Sequence, residues 1–201
     1  MALVIIAGRK KGLKLQIPPP SAARPTAAIV REAVFSMIAA RVPGARALDL
    51  FAGSGAMGLE AASRGAGSVV LCDRNPESLK ALRKNVSLFG DGFVAKALEL
   101  SFPEGYPALK RYGAFDLIFL DPPYGDPEAA SGFLASAPGL GLCAPEALAV
   151  WEMSPQTLKS LDGADTGAFA LVKSRAWGAR AAAILELKAT GGSSRQYPLA
   201  D

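Results

Sequence analysis

The spacing of hydrophobic and polar positions changes period several times along this chain, and each change marks an element. Residues 3–7 and 13–17 are short apolar or alternating runs around Gly8-Arg9-Lys10-Lys11-Gly12, the pattern of a β-hairpin with a basic tip. Pro18 to Pro20 break that pattern. Pro25 and Thr26 mark a helix start, and Ile29, Val30, Ala33, Val34 and Met37 then recur at helical spacing to about Ala40, with Phe35 and Ile38 widening the apolar face. From Ala45 the units alternate. Strands are predicted over 47–51, 68–73, 93–95, 115–120 and 148–152, and helices over 56–64, 76–89, near Pro107 and over 127–135.

Alternation of this kind predicts an α/β fold built on a doubly wound, mostly parallel sheet. Two late runs, 169–175 and 181–187, have no helix pattern between them and predict an antiparallel hairpin at the end of the sheet, which brings the expected strands of the core to seven. No internal repeat or linker divides the chain. Residues 1–190 are therefore expected to form a single domain, with a basic hairpin and helix over 1–44 and a core over 45–190. Gly191-Gly192-Ser193-Ser194 opens a stretch, 191–201, that reads as a mobile tail.

Composition narrows the chemistry. The 201 residues are 50% hydrophobic and 20% charged, enough to bury a core and too apolar for a disordered chain. No run approaches the roughly 18 apolar residues of a membrane span. The first apolar stretch precedes Arg9, Lys10 and Lys11, the reverse of a secretory signal, so a cytoplasmic location is expected. Cys72 and Cys143 sit in apolar contexts and read as reduced, packed thiols. The chain has no histidine, which removes Ser-His-Asp and Cys-His mechanisms and the commonest metal ligand, and no metal is expected. Catalysis then falls to carboxylates, backbone groups, hydroxyls or a borrowed cofactor. The net charge of +4 is concentrated at the front, where Arg9, Lys10, Lys11, Lys14, Arg24, Arg31, Arg41 and Arg46 face only Glu32 and Asp49. This points to a polyanionic partner, with Arg9, Lys10, Lys11, Lys14, Arg24 and Arg31 as candidate phosphate contacts and a solvated surface as the plain alternative.

Two motifs carry the candidate chemistry. Leu48-Asp49-Leu50-Phe51-Ala52-Gly53-Ser54-Gly55 runs from a strand into a small-residue loop that opens a helix, where glycines admit a ligand close to the backbone and the helix end offers N–H groups. Gly53, Gly55 and Gly58 satisfy the dinucleotide fingerprint, and Asp73 lies about 20 residues further on, where a ribose-binding acid belongs. An NAD enzyme stays open on this motif alone. Asp49 favours another ligand, because a carboxylate beside this loop repels a pyrophosphate and suits the cationic part of S-adenosylmethionine. The second motif, Asp121-Pro122-Pro123-Tyr124, follows an apolar strand and would meet the same crevice. The Asp121 carboxylate and Pro122 carbonyl form paired acceptors for an exocyclic amine, stiffened by Pro123, and the Tyr124 ring offers a face on which a base stacks.

Together these residues resemble the class I S-adenosylmethionine-dependent methyltransferases that act on amines. A closer resemblance, carried by the Gly-Arg-Lys-Lys-Gly tip, Arg24-Pro25-Thr26, Arg31-Glu32, Phe35, Leu48 to Gly55, Gly58-Leu59-Glu60-Ala61, Ser63-Arg64-Gly65-Ala66 and Asp121-Pro122-Pro123-Tyr124, is to the RsmD family. That family methylates the N2 amine of a guanine in bacterial 16S ribosomal RNA. The resemblance implies a Rossmann-like class I methyltransferase fold, S-adenosylmethionine held by Asp49, Phe51, Ala52, Gly53, Ser54, Gly55, Asp73, Arg74 and Asp121, and catalysis by Asp121, Pro122, Pro123 and Tyr124. It also implies 16S ribosomal RNA in a small-subunit particle as partner, for a protein expected to act as a monomer. The usual polar residue after the fourth strand is replaced by Ala97, with Glu99 and Ser101 as substitutes for contacting the adenine amine. A DNA adenine-N6 methyltransferase, an NAD-dependent oxidoreductase and a non-catalytic RNA-binding protein are the rival readings.

Overall fold

The computed structural model describes residues 2–19, 27–123, 126–161 and 166–189, so Arg24, Tyr124 and the 191–201 tail lie outside the described residues. Among the described residues seven strands form one sheet: β1 (Arg46–Asp49), β2 (Ser68–Asp73), β3 (Ala95–Glu99), β4 (Phe115–Leu120), β5 (Cys143–Met153), β6 (Phe169–Trp177) and β7 (Arg180–Leu187). Their order is β3-β2-β1-β4-β5-β7-β6. The pairs among β1 to β5 are parallel, while β7 runs antiparallel to both β5 and β6. The helices are α1 (Ala28–Met37), α2 (Ala56–Ser63), α3 (Pro76–Phe89), α4 (Tyr106–Leu109), α5 (Pro127–Ser136) and α6 (Pro155–Leu161). This is a Rossmann-like, mostly parallel α/β fold, as the alternating pattern predicts. None of the helices is long and apolar enough to cross a membrane among the described residues.

Side-chain alternation along the strands feeds two cores. Leu71, Phe119 and Val150 pack with α1, α2, α3 and the N-terminal arm, while Leu50, Ile118 and Trp151 pack with α4 and α5 on the other face. β2, α3 and β4 occupy the predicted spans. β1 ends at Asp49 rather than Phe51, because the chain there already turns into the glycine loop. β3 starts only at Ala95, and β5 starts as early as Cys143, with a register irregularity opposite Phe115 to Leu117 and Glu146 at φ 57°. The unpredicted α6 is nucleated by Ser154, whose Oγ accepts from Thr157 N at 3.1 Å ahead of Pro155. Asn75 and Asp126 start α3 and α5 in the same way.

The N-terminal arm folds back on itself with one antiparallel bridge, Val4 to Lys14, rather than a long ladder. It docks on α2. The buried Glu60 carboxylate accepts from Ile6 N at 2.7 Å, from Ala7 N at 3.0 Å and from Arg64 Nε at 2.7 Å. Ser63 Oγ donates to Ala7 O at 2.6 Å. Gly8, at φ 83°, fits only because it lacks a side chain: a Cβ there would lie 2.0 Å from Ser63 O.

Arg31 is not an RNA contact. It shares a helical stripe with Val34, Phe35 and Ile38, is 1% exposed, and donates to Val4 O at 2.8 Å. Desolvation holds its pKa below the usual arginine value, partly offset by the charge of Glu60. Ile29, counted on the apolar face by spacing, is 63% exposed instead.

Removing Glu60 leaves Arg31 buried without its counter-charge and two arm amides without their acceptor. We expect Glu60→Ala to lower unfolding free energy by about 3–5 kcal/mol and to expose the Arg9 to Lys11 bonds to trypsin. Urea denaturation and limited proteolysis measure both, and a stability unchanged from the parent would refute this account of the arm.

Candidate functional site

The chain leaves β1 toward β2 and β3 on one side, and the later strands β4 and β5 lie on the other, so strand order reverses between β1 and β4. Crevices at such switch points, beyond the carboxyl ends of the strands, are where α/β sheets bind ligands. The loop after Asp49 sits in that gap and is tied to both neighbours. Leu50 N donates to Phe119 O of β4 at 3.1 Å, and Ala52 N donates to Cys72 O of β2 at 2.8 Å. Gly53 (φ 54°) and Gly55 (φ 80°) make the turn, and Gly55 starts α2 without a side-chain cap.

Asp73, at the end of β2, faces this loop. Its Oδ2 accepts from Gly53 N and its Oδ1 from Asn75 N, both at 2.8 Å, which orients the carboxylate and leaves each oxygen a second lone pair. Arg74 beside it is exposed, and Ser54 is buried in the loop. Phe51 packs edge-on against Phe102 at 6.0 Å. Glu99, the register partner of Asp73, reaches the same end of the sheet and pairs with Arg83 at 3.4 Å. Ala97 is half-buried in β3.

Asp49 takes a different position from the one its charge suggested. It is buried, and its Oδ2 accepts from Gly58 N at 2.9 Å, so β1 supplies the cap that Gly55 cannot. Gly58 permits this closeness, since a Cβ there would lie 2.8 Å from Leu71 and 3.2 Å from Asp49 Cβ. Asn85, invisible as a functional residue in the sequence, fastens the loop from beneath. Its Oδ1 accepts from Gln16 N at 2.7 Å, and its Nδ2 donates to Gln16 O at 2.9 Å and to Ser54 O at 2.8 Å.

Across the gap, Asp121 and Pro122 are half-buried and Pro123 is exposed, its carbonyl accepting from Asp126 N at 3.2 Å. Asp121 lines a narrow concavity, with room for little more than a water, together with Val34, Met57, Phe119, Val150 and Glu152. The Glu152 carboxylate accepts from Arg180. Neither Glu152 nor Arg180 was singled out by sequence, although the strand register places both at this end. The basic tip lies elsewhere. Arg9 N donates to Ser63 O at the carboxyl end of α2, and the Arg9 guanidinium covers Phe93 at 4.1 Å and donates to Gly92 O. Lys10 is half-buried near the same ring, while Lys11 and Lys14 are exposed. Cys72 and Cys143 are free thiols, and burial pushes that of Cys143 up to about 11.

Desolvation raises the Asp49 carboxyl from 3.8 to about 7, against the lowering effect of Gly58 N–H and with a further rise from Asp73. The native state therefore holds a proton that the unfolded chain releases between those two values, and stability falls as pH rises from 3.8 to about 7, then levels. Asp49→Asn should remove this slope, so that its stability relative to the parent improves across that window and stays constant above it in urea titrations at each pH. A constant difference throughout would contradict the assignment. Asn85→Ala should cost about 3 kcal/mol by orphaning buried backbone groups and speed hydrogen exchange of the Gly53 to Gly55 amides; protection equal to the parent would show that the loop stands without it.

The Bacillus subtilis protein YlbH is 37% identical over 121 residues, covering 60% of this chain and 66% of that protein. Ribosomal RNA small subunit methyltransferase D of Escherichia coli K12 is 36% identical over 124 residues, covering 60% of this chain and 59% of its own length. The chain thus spans less than two thirds of these relatives. The solved structure of Escherichia coli yhhF superposes with a TM-score of 0.75 at 28% identity, covering 94% of this chain and 99% of that one. A family model described as conserved hypothetical protein 95 matches residues 3–186, and the chain belongs to that family, the RsmD family that its motifs resemble.

Proposed function

We propose that this protein transfers a methyl group from S-adenosylmethionine to the exocyclic N2 amine of a guanine in 16S ribosomal RNA, within a small-subunit particle, acting as a cytoplasmic monomer. The observation that carries the reading is the juxtaposition at the switch point: a glycine loop tied to Asp73 on one side, and Asp121-Pro122 at the lip of a concavity on the other. The names of the ribosomal RNA methyltransferases among its relatives support the same reading.

The residues suit the cofactor. Gly53 and Gly55 keep the loop free of side chains, and the Asp73 carboxylate, already aimed by two backbone amides, is placed to accept from ribose hydroxyls. Ala52, Ser54 and Phe51 line the same loop, with Arg74 beyond Asp73. Asp49 acts from beneath, by holding α2 and the loop together. S-adenosylmethionine supplies an electrophilic methyl group. Asp121 and the Pro122 carbonyl accept hydrogen bonds from the target amine, whose lone pair is otherwise delocalised into the ring, and so turn that lone pair toward the methyl group. Asp121 takes the proton the amine loses. Pro123 stiffens the turn, and Tyr124 is assigned the stacking face.

Lys10, Lys11 and Lys14, with Arg9, are the phosphate contacts in this reading. Arg9, Lys10 and Lys11 sit at the amino end of the strands, about 12 Å from the glycine loop by the eight-residue length of α2, so they grip RNA away from the target base. Arg24 is retained as a candidate contact on sequence alone.

The test is nucleoside mass spectrometry of unmodified small ribosomal subunits incubated with the protein and S-adenosylmethionine. New N2-methylguanosine is expected, and no methyl gain beside an active control enzyme would overturn the proposal. Asp121→Ala should slow transfer by about 100- to 1000-fold while S-adenosylhomocysteine binds within a few-fold of the parent; undiminished turnover would remove Asp121 from its role.

A further inference from the structure

We infer that Glu152 reads the Watson–Crick edge of the target base and makes the site selective for guanine, an inference that rests on the methyltransferase reading above. The placement follows from register. Leu120 of β4 pairs with Trp151 of β5, so the next residues, Asp121 and Glu152, stand side by side at the carboxyl ends of neighbouring parallel strands. Alternation turns both toward the face that holds Phe119 and Val150, and both line the same concavity. Val34 and Met57, from α1 and α2, close its apolar floor, so a base meets the two carboxylates from the mouth of the concavity.

Glu152 is also held in place. β7 runs antiparallel to β5 and brings Arg180 to this end of the sheet, where its guanidinium donates to the Glu152 carboxylate. The Glu152 side chain is 9% exposed. A carboxylate so enclosed is an acceptor at a fixed place, one strand away from the acceptor assigned to the amine.

That arrangement distinguishes bases by what lies next to the amine. In guanine the neighbour of the N2 amine is the N1–H donor, which a carboxylate accepts. In adenine and cytosine the ring nitrogen beside the amine is an acceptor, whose lone pair a carboxylate repels. Asp121 and Glu152 thus form an acceptor pair matched to two adjacent donors. Sites built to hydrogen-bond a substrate group reject analogues lacking it by large factors, because the buried partner is left unpaired.

The experiment uses small-subunit particles assembled on ligated 16S RNA that carries either guanine or 2-aminopurine at the mapped target. 2-aminopurine keeps the N2 amine and has an acceptor at N1. The parent protein is expected to methylate guanine at least about 1000-fold faster, and Glu152→Gln, which can present an amide donor, is expected to shrink that ratio to about 10-fold while binding S-adenosylhomocysteine normally. An unchanged ratio in Glu152→Gln overturns the inference. So does a parent protein that accepts both bases equally, a result independent of whether the variant folds. Absence of N2-methylguanosine from the parent on guanine particles overturns the methyltransferase reading itself, which separates the two failures.

Discussion

The candidate site depends on one constraint: β1 and β4 pair directly, although the chain builds outward from them in opposite directions. A connection on one side of β1 and another on the far side of β4 leave a gap above their carboxyl ends that no crossover can cover. The glycine loop fills that gap from β1, Asp73 reaches it from β2, and Asp121 reaches it from β4. None of these residues needs to be near another in sequence. Their meeting is a property of strand order, and it holds as long as Leu117 to Phe119 keep their register with Ala47 to Asp49.

The helix that leaves this gap creates a second demand. All eight residues of α2 are buried, so water cannot satisfy its ends or its polar side chains. The protein answers with charged and polar groups it would otherwise avoid burying. Asp49 caps the amino end through Gly58, and Glu60 turns outward to take two amides of the N-terminal arm, with Arg31 and Arg64 as counter-charges. The arm is therefore a lid on a buried helix as much as a basic appendage. Asn85 continues the same logic, since one buried amide closes the arm at Gln16 and the loop at Ser54 together.

Those demands explain what the sequence revealed and what it hid. Strand and helix periods and the two motifs are local signals, and they placed most of the sheet, the loop and the Asp121 turn; the caps Asn75 and Asp126 ahead of Pro76 and Pro127 are local signals as well. Ser154-Pro155 is the same local signal and could have located α6. Arg31 was legible too, for it lies four residues before Phe35 on the buried stripe, but its charge outweighed its spacing. Glu152, Asn85 and Glu60 were hidden for a different reason. Each acquires its role from a partner 28 to 69 positions away in the chain, fixed only once the sheet and the arm are assembled.

The distance between the basic tip and the crevice bears on how an RNA would be handled under the proposed function. The tip is fastened to the carboxyl end of α2 and the segment before β3, the end of the sheet where the strands begin. Phosphate contacts made there position a nucleic acid without reading its bases. Reading must then occur at the crevice, where the backbone offers a loop of glycines and two prolines lacking N–H donors. Few groups are left to discriminate one base from another. The carboxylates at the ends of β4 and β5 stand about one strand spacing apart, roughly 5 Å, and repel each other, so a pair of donors bridging both is favoured over a base that presents one donor and one acceptor. The guanidinium of Arg180 offsets part of that repulsion in the unliganded protein and holds the outer carboxylate in line. Selectivity for a base with two adjacent donors thus follows from placing two acids on neighbouring parallel strands at a crevice wall that is otherwise apolar.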